Sequence, residues 1–181
     1  MNKKNVNYEK MYYGFPVILV SFYDKEGIPN VTTISSSYTL KDMVALGFSS
    51  KGYAINQIKE VTDFVINIPD NTLLSEMDYC GKNSGYECKK FDNINLTPIK
   101  SQVINAPIIK ECPISIECSL TDVMEREAYH GITNILATIK GRLVSEDYLD
   151  SNNRLIPNKF ENVIYIGDGV NRGYRDLKEI E

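Results

Sequence analysis

A run of small hydroxyl side chains is the part of this sequence whose residue types most directly suggest chemistry. From Thr32 to Thr39 every residue except Ile34 carries a hydroxyl group, and apolar stretches lie on both sides. Successive side chains of an extended chain point to opposite faces, so Thr33, Ser35 and Ser37 would share one face. A flat polar ring could lie close to this surface and bond to its main-chain amides and hydroxyls. The alternative is an exposed edge strand, because threonine favours strands in any case.

A second polar segment follows the next apolar stretch. Ser49, Ser50 and Lys51 precede Gly52 and a short predicted helix. The first amides of a helix attract anions, and a lysine adds positive charge, so this turn could hold a phosphate group. The alternative is a helix cap with a solvated lysine. A polar-ring surface and a phosphate site together would suit a mononucleotide with a long polar tail.

The sequence lacks the residues that several other enzyme classes need. In NVIYIGDGVNRG the third glycine comes one residue too late for the dinucleotide fingerprint. The P-loop and G-x-S-x-G motifs are both missing. His130 is the only histidine, so a metal site that needs several histidines is excluded. We expect no metal and four free thiols, because no C-x-x-C pair occurs among Cys80, Cys88, Cys112 and Cys118.

Composition and charge indicate an ordinary globular protein. Hydrophobic residues make up 43% and charged residues 24% of the 181 residues, which is enough to bury the core of one domain. The net charge of −4 and the lack of a basic stripe argue against nucleic-acid binding. The N-terminal sequence MNKKNVNYEKMYYGF has no apolar run, so we expect neither a signal peptide nor a membrane span, and a cytoplasmic location.

The hydrophobic pattern predicts many strands and two short helices. The helices are expected at 50–61 and 70–81, and the segment 94–113 is expected to form strands along a barrel rim. Short links imply antiparallel pairing, including pairing of 30–35 with 43–49. The predicted fold class is mainly β with short helices, in an antiparallel barrel. Its main strands are predicted at 16–24, 30–35, 43–49, 63–69, 114–125, 133–149 and 158–169.

Six short motifs occur in one order between residues 14 and 145. They are PVILVSFYDKEGIPNV, TTISSS, SSKGYAINQI, DFVINIP, DYCGKNSGYECKKF and PISIEC. In this order they resemble the flavin reductase-like family with the FMN-binding split barrel, nearest to its flavoredoxin branch. The resemblance implies an antiparallel split β-barrel of the FMN-binding type. It also implies a single flavin reductase-like domain over 1–181, with a core of about 14–170.

The resemblance further implies the residues of a flavin site. One group of them would contact the ring, a second would hold the phosphate, and Lys90 matches the lysine of the family's D-K-F motif, with Lys89 in place of the aspartate. The ring group is Thr33, Ser35, Ser36 and Ser37, and the phosphate group is Ser49, Ser50, Lys51, Tyr53 and Ala54.

Three further positions depart from the family's pattern. Ser36 stands where the flavoredoxin branch often has tryptophan, and Ala54 stands where the family usually has serine or threonine. The loss of that hydroxyl could weaken phosphate binding by roughly 1 kcal/mol. His130 is the one catalytic candidate although it lies about two residues from the branch's histidine, and a supporting or surface role is the alternative.

The resemblance implies an FMN-binding flavin reductase, an NAD(P)H:FMN oxidoreductase that transfers hydride from NAD(P)H to flavin N5. The flavin would do the chemistry and the protein would position it. A homodimer with FMN near the interface is implied, with Tyr174 covering the flavin from the partner chain and a redox partner protein as a further partner. The alternatives are a flavoredoxin-like electron-transfer flavoprotein and a split-barrel binding module that has lost reductase activity.

Overall fold

The computed structural model describes residues 1–8 and 10–177. Two α-helices, α1 (Tyr53–Val61) and α2 (Leu74–Lys82), accompany twelve strands in this part of the chain. No helix among these residues is long and apolar enough to cross a membrane. The strands are β1 (Met11–Pro16), β2 (Ile18–Tyr23), β3 (Pro29–Ile34), β4 (Ser37–Leu40), β5 (Met43–Ser49), β6 (Asp63–Ile68), β7 (Pro98–Lys100), β8 (Pro107–Ile109), β9 (Ile114–Glu125), β10 (Ile132–Val144), β11 (Val163–Asp168) and β12 (Arg172–Asp176).

The main sheet is a seven-stranded antiparallel barrel with a split. Its strand order is β3-β2-β6-β9-β10-β5-β4, so β3 and β4 lie at opposite edges although they follow each other in the chain. Only Ser35 and Ser36 separate these two strands, which forces the sheet to curl until its edges meet. At this seam, Gly47 N–H of β5 donates to Ser36 O at 2.9 Å. The predicted split β-barrel fold is confirmed.

The predicted pairing of 30–35 with 43–49 is wrong. The segment between them contains β4, which pairs with β5 through a tight turn from Leu40 to Met43. The hydroxyl-rich sequence hid this strand because it is only four residues long and lies largely exposed at the edge of the sheet. Since the strand ends at Ile34, the regular alternation expected for Thr33, Ser35 and Ser37 also stops there.

Other element bounds differ from the prediction where turns intervene. The helix predicted at 50–61 begins only at Tyr53, because 49–52 forms a turn. The segment 70–81 forms a short 3₁₀ turn at Asn71–Leu73 followed by α2. The strand predicted at 158–169 shortens to β11, because Pro157–Lys159 forms another 3₁₀ turn.

Two hydrophobic clusters stabilise the fold on opposite sides of the barrel wall. Inside the barrel, Ile55 and Ile58 of α1 pack onto Phe22 and Phe64 of the strands, so α1 closes one end of the barrel. Outside, Met77 of α2 is fully buried in a cluster with β2, β3 and Val163 of β11. Because both helices are anchored by buried side chains, their ends are fixed relative to the seam.

A smaller three-stranded sheet, of order β1-β11-β12, lies beside the barrel. Its link to the barrel is direct, because Val17 N–H, between β1 and β2, donates to Val163 O at 2.9 Å. Strands β1 and β12 were not predicted, since their tyrosines, arginines and glycines give no alternating apolar pattern. This sheet faces the seam across a cleft.

Candidate functional site

The cleft between the barrel seam and the three-stranded sheet has a volume of about 850 Å³. This volume lies within the range of small-molecule and cofactor sites. The walls come from β3, β5, the start of α1, the end of α2 with its following loop, and β11–β12. Seven of the ten predicted cofactor residues line it: Thr33, Ser35, Ser36, Ser49, Tyr53, Ala54 and Lys90.

The seam offers free main-chain donors to the cleft. Among the described residues, neither Ser35 N–H nor Ser36 N–H has a protein acceptor, because neither residue belongs to a ladder. Gly47 lies behind them, and a Cβ added there would lie 3.2 Å from Ser36 Cβ. The small residue at Gly47 therefore lets the crossing segment pack closely against β5, and the unpaired amides of Ser35 and Ser36 can bond to the edge of a polar ring.

Thr33 has a structural partner. Its Oγ1 donates to Met77 O of α2 at 2.7 Å, so this hydroxyl joins β3 to the helix. A Cβ added at Gly81, near the end of α2, would lie 3.5 Å from Thr33 Cβ, which shows how closely the two elements pack. Ser37, in β4, is not among the residues that line the cleft.

The N-terminus of α1 opens onto the same cleft. Gly52 is the N-cap of this nine-residue helix and no side chain caps it. Within the described chain, the amides of Tyr53, Ala54 and Ile55 donate to no protein acceptor. Free amides and the helix dipole make this end of the helix favourable for an anion. Ser49 also lines the cleft, and its side chain is exposed.

A polar network holds the turn before α1. Thr133 Oγ1, fully buried on β10, lies 2.8 Å from both Ser50 Oγ and Glu125 Oε1. Glu125 also pairs with Lys59 of α1, and these hydrogen bonds hold its pKa below the ordinary value. Ser50 thus positions the turn and does not line the cleft, and Lys51 is exposed outside the lining.

Tyr53 connects helix α1 to the turn between β2 and β3. Its hydroxyl donates to Asp24 Oδ2 at 2.8 Å, while Asp24 Oδ1 accepts from the amides of Glu26 and Ile28. Burial is the larger cause and the bond to Asp24 the next in raising the pKa of Tyr53 to about 12. The ring lines the cleft against Gly85, where an added Cβ would lie 2.3 Å from the ring. The motif PVILVSFYDKEGIPNV contains Asp24, but the sequence pattern alone did not indicate its bond to Tyr53.

Lys90 is a buried cation in the cleft wall. Its side chain is 3% exposed, and its Nζ donates to Cys80 O at 2.8 Å. Burial lowers the pKa of Lys90 from its ordinary value of 10.5 and raises the pKa of the Cys80 thiol to about 12. No carboxylate pairs with Lys90 within the residues that the structure describes. A buried ammonium without a counter-charge is costly, and an anionic ligand would stabilise it.

Three tyrosines form the opposite wall. The ring centroids of Tyr12 and Tyr165 lie 4.9 Å apart, and those of Tyr165 and Tyr174 lie 5.2 Å apart. All three line the cleft of their own chain, together with Lys10 and Arg172. The hydrophobic pattern did not indicate this wall, although the family resemblance led us to expect that Tyr174 covers a flavin from the partner chain.

His130 lies apart from the cleft. It ends a 3₁₀ turn at the tip of the β9–β10 hairpin, is exposed, and has a positive φ of 49°. It does not belong to the residues that line the cleft. Nothing in this geometry gives it contact with a ligand there, and its role as a catalytic residue stays a prediction.

The chain matches known proteins over most of its length. It is 27% identical to the uncharacterized protein YdfE of Bacillus subtilis, over 90% of this chain and 85% of YdfE. Its structure is similar to that of flavoredoxin from Desulfovibrio vulgaris, with a TM-score of 0.88, 27% identity, and coverage of 99% and 96% of the two chains. Nitrilotriacetate monooxygenase component B from Bacillus cereus has the same fold, with a TM-score of 0.83, 19% identity, and coverage of 100% and 98%.

Residues 11–154 of this chain match the family described as "Flavin reductase like domain". This range contains the seam, both α-helices and Lys90, while β11 and β12 lie beyond it. With the split-barrel fold and the cleft at its seam, this match shows that the chain belongs to the flavin reductase-like family.

Proposed function

We propose that the protein is an FMN-binding flavin reductase, an NAD(P)H:FMN oxidoreductase. The observation that carries this proposal is Lys90, a buried ammonium without a counter-charge in the wall of a cleft lined by free amides. A site of this kind is incomplete without an anion. FMN carries a phosphate, and its ring becomes negatively charged on reduction, so the residues present fit this cofactor.

The two sets of free amides would bind different parts of the cofactor. The amides of Ser35 and Ser36 at the seam would bond to the polar edge of the ring. The amides at the start of α1, with Ser49, would hold the phosphate. Ala54 lies at this second position, is buried, and contributes its amide but no hydroxyl.

The chain's own residues would bind and orient the reactants. FMN, when bound, supplies the redox chemistry, since its N5 accepts a hydride from NAD(P)H. Lys90 would offset negative charge on the flavin, and the tyrosine wall would exclude water from one side of the cleft. No protein acid or base is required for the hydride transfer itself.

The test is an absorption spectrum of the purified protein with FMN, followed by anaerobic addition of NADH and then NADPH. Flavin bands that shift on binding and bleach with either nucleotide would support the reductase. A protein that takes up no FMN would refute the proposal at its first step.

A second candidate function is an electron-transfer flavoprotein, and the similarity to a flavoredoxin at 27% identity favours it. In the same experiment this function predicts bound FMN that neither nucleotide reduces. We further propose a homodimer with FMN near the interface. A redox partner protein would be needed by the electron carrier, because its electrons must come from another protein. Sedimentation of the FMN-loaded protein would test the dimer.

A further inference from the structure

The side of the three-stranded sheet that faces the cleft combines aromatic and cationic groups. Tyr12 of β1 pairs with Gly167 of β11, which in turn pairs with Arg172 of β12. One pair further along the same face, Tyr165 lies opposite Tyr174. Lys10 lines the cleft just before β1. The face therefore offers aromatic rings with two positive charges at its end.

The aromatic part of this face is neutral and half-buried. The rings of Tyr165 and Tyr174 are tilted by 48° to each other, and Tyr12 meets Tyr165 edge-on at 70°. Burial raises the pKa values of Tyr165 and Tyr174, so both remain phenols at physiological pH. Such rings can pack against a flat ligand without repelling a negative charge.

The cationic part of this face lacks protein counter-charges. Within the described residues, neither Lys10 nor Arg172 forms a salt bridge. The acidic residue of the cleft, Asp78, is paired with Lys82 at 2.6 Å. These free cations belong to a protein whose net charge is −4, so the cleft differs in sign from the molecule as a whole. An anion would be attracted to this end of the cleft.

We propose that this face binds the second ligand of the cleft, and that this ligand is a small planar aromatic anion such as an aromatic carboxylate. The inference rests on the proposed function, because it names the class of substrate that would meet the flavin. Arg172 and Tyr174 are two residues apart on one strand, so their Cα atoms lie about 7 Å apart. The guanidinium and the phenol ring are therefore neighbours on one face, which suits a ligand whose negative charge is attached directly to its ring. In a nicotinamide dinucleotide the phosphates are separated from the nicotinamide ring by a ribose.

Gly167 lies between Tyr12 and Arg172 in the sheet and has no side chain. Its φ of +131° belongs to the turn into β12, and a Cβ added there would lie 2.0 Å from Asn171 O. No side chain therefore stands between Tyr12 and Arg172 on the sheet surface. A flat ligand can reach both the phenol ring and the guanidinium, which binds carboxylates through two parallel hydrogen bonds.

The test is calorimetric titration of the FMN-loaded protein with benzoate, benzamide and cyclohexanecarboxylate. These probes separate the charge from the flat ring. We expect benzoate to bind at least about 10-fold more tightly than either of the other two. Arg172→Gln should abolish the preference for benzoate over benzamide. Arg175→Gln is the matched control, because Arg175 lies on the same strand, is exposed, and bonds to Tyr174 O outside the cleft.

Equal binding of benzoate and benzamide, or an unchanged preference in Arg172→Gln, would overturn the inference. Equal binding of benzoate and cyclohexanecarboxylate would overturn the role of the aromatic wall. FMN uptake is measured separately by absorption before each titration. A protein that binds no FMN but still prefers benzoate would refute the proposed function and retain the aromatic-anion site.

Discussion

Replacement of Lys90 by methionine should weaken FMN binding without lowering the stability of the protein. Methionine has a similar length but no charge, so the variant removes the buried ammonium and keeps the packing. A hydrogen bond to a charged group contributes about 1.5–3 kcal/mol, so the dissociation constant for FMN should rise about 10- to 150-fold. Loss of the bond from this charged group to Cys80 O also costs about 1.5–3 kcal/mol, and relief from burying an uncompensated charge offsets it.

The assay is fluorescence titration of FMN, accompanied by urea unfolding of the protein without ligand. Lys89→Met is the matched control, because the neighbouring lysine is exposed and lies outside the cleft. The control should bind FMN as the unaltered protein does. The reasoning fails if Lys90→Met retains full affinity, if Lys89→Met loses as much, or if Lys90→Met unfolds at a much lower urea concentration.

Three further predictions follow from the same cleft. Lys51→Ala should change the FMN dissociation constant by less than about twofold in the same titration, because Lys51 is exposed outside the lining. Gly85→Ala should lower the free energy of urea unfolding by about 1–3 kcal/mol, since its Cβ would overlap the Tyr53 ring, whereas Gly81→Ala should not. FMN affinity should fall as pH rises through the lowered pKa of Lys90, because only the ammonium attracts the anion; the Lys90→Met variant should lack this dependence.

The sequence predicted the elements whose pattern is local and missed those whose partners are distant. Strand β9 was predicted with its observed bounds, because its apolar positions alternate along one face. Strand β4 was missed because it is short and exposed at the sheet edge, and β12 because its polar sequence lies at the edge of the small sheet, paired with β11. Periodicity cannot show such pairings, since they depend on residues far away in the chain.

The predicted site divides in the same way. Ser35, Ser36, Ser49 and Ala54 lie together in the cleft because short segments carry them there. Both main-chain amides and hydroxyls were predicted as donors in the hydroxyl-rich segment, and the amides of Ser35 and Ser36 have no protein acceptor in the described part of the chain. The tyrosine wall could not be predicted, because it exists only where β1, β11 and β12 come together.

The seam of the barrel explains why small hydroxyl residues occupy this part of the chain. A chain that crosses from one edge of a sheet to the other leaves both ladders, so the amides of Ser35 and Ser36 lose strand partners. Buried amides without acceptors would destabilise the fold, whereas amides that face a cleft can bond to water or to a ligand. Bulky side chains at the crossing would also collide with Gly47, because a Cβ added at Gly47 would already lie 3.2 Å from Ser36 Cβ. The closure of the barrel thus creates the polar surface on which the cleft depends.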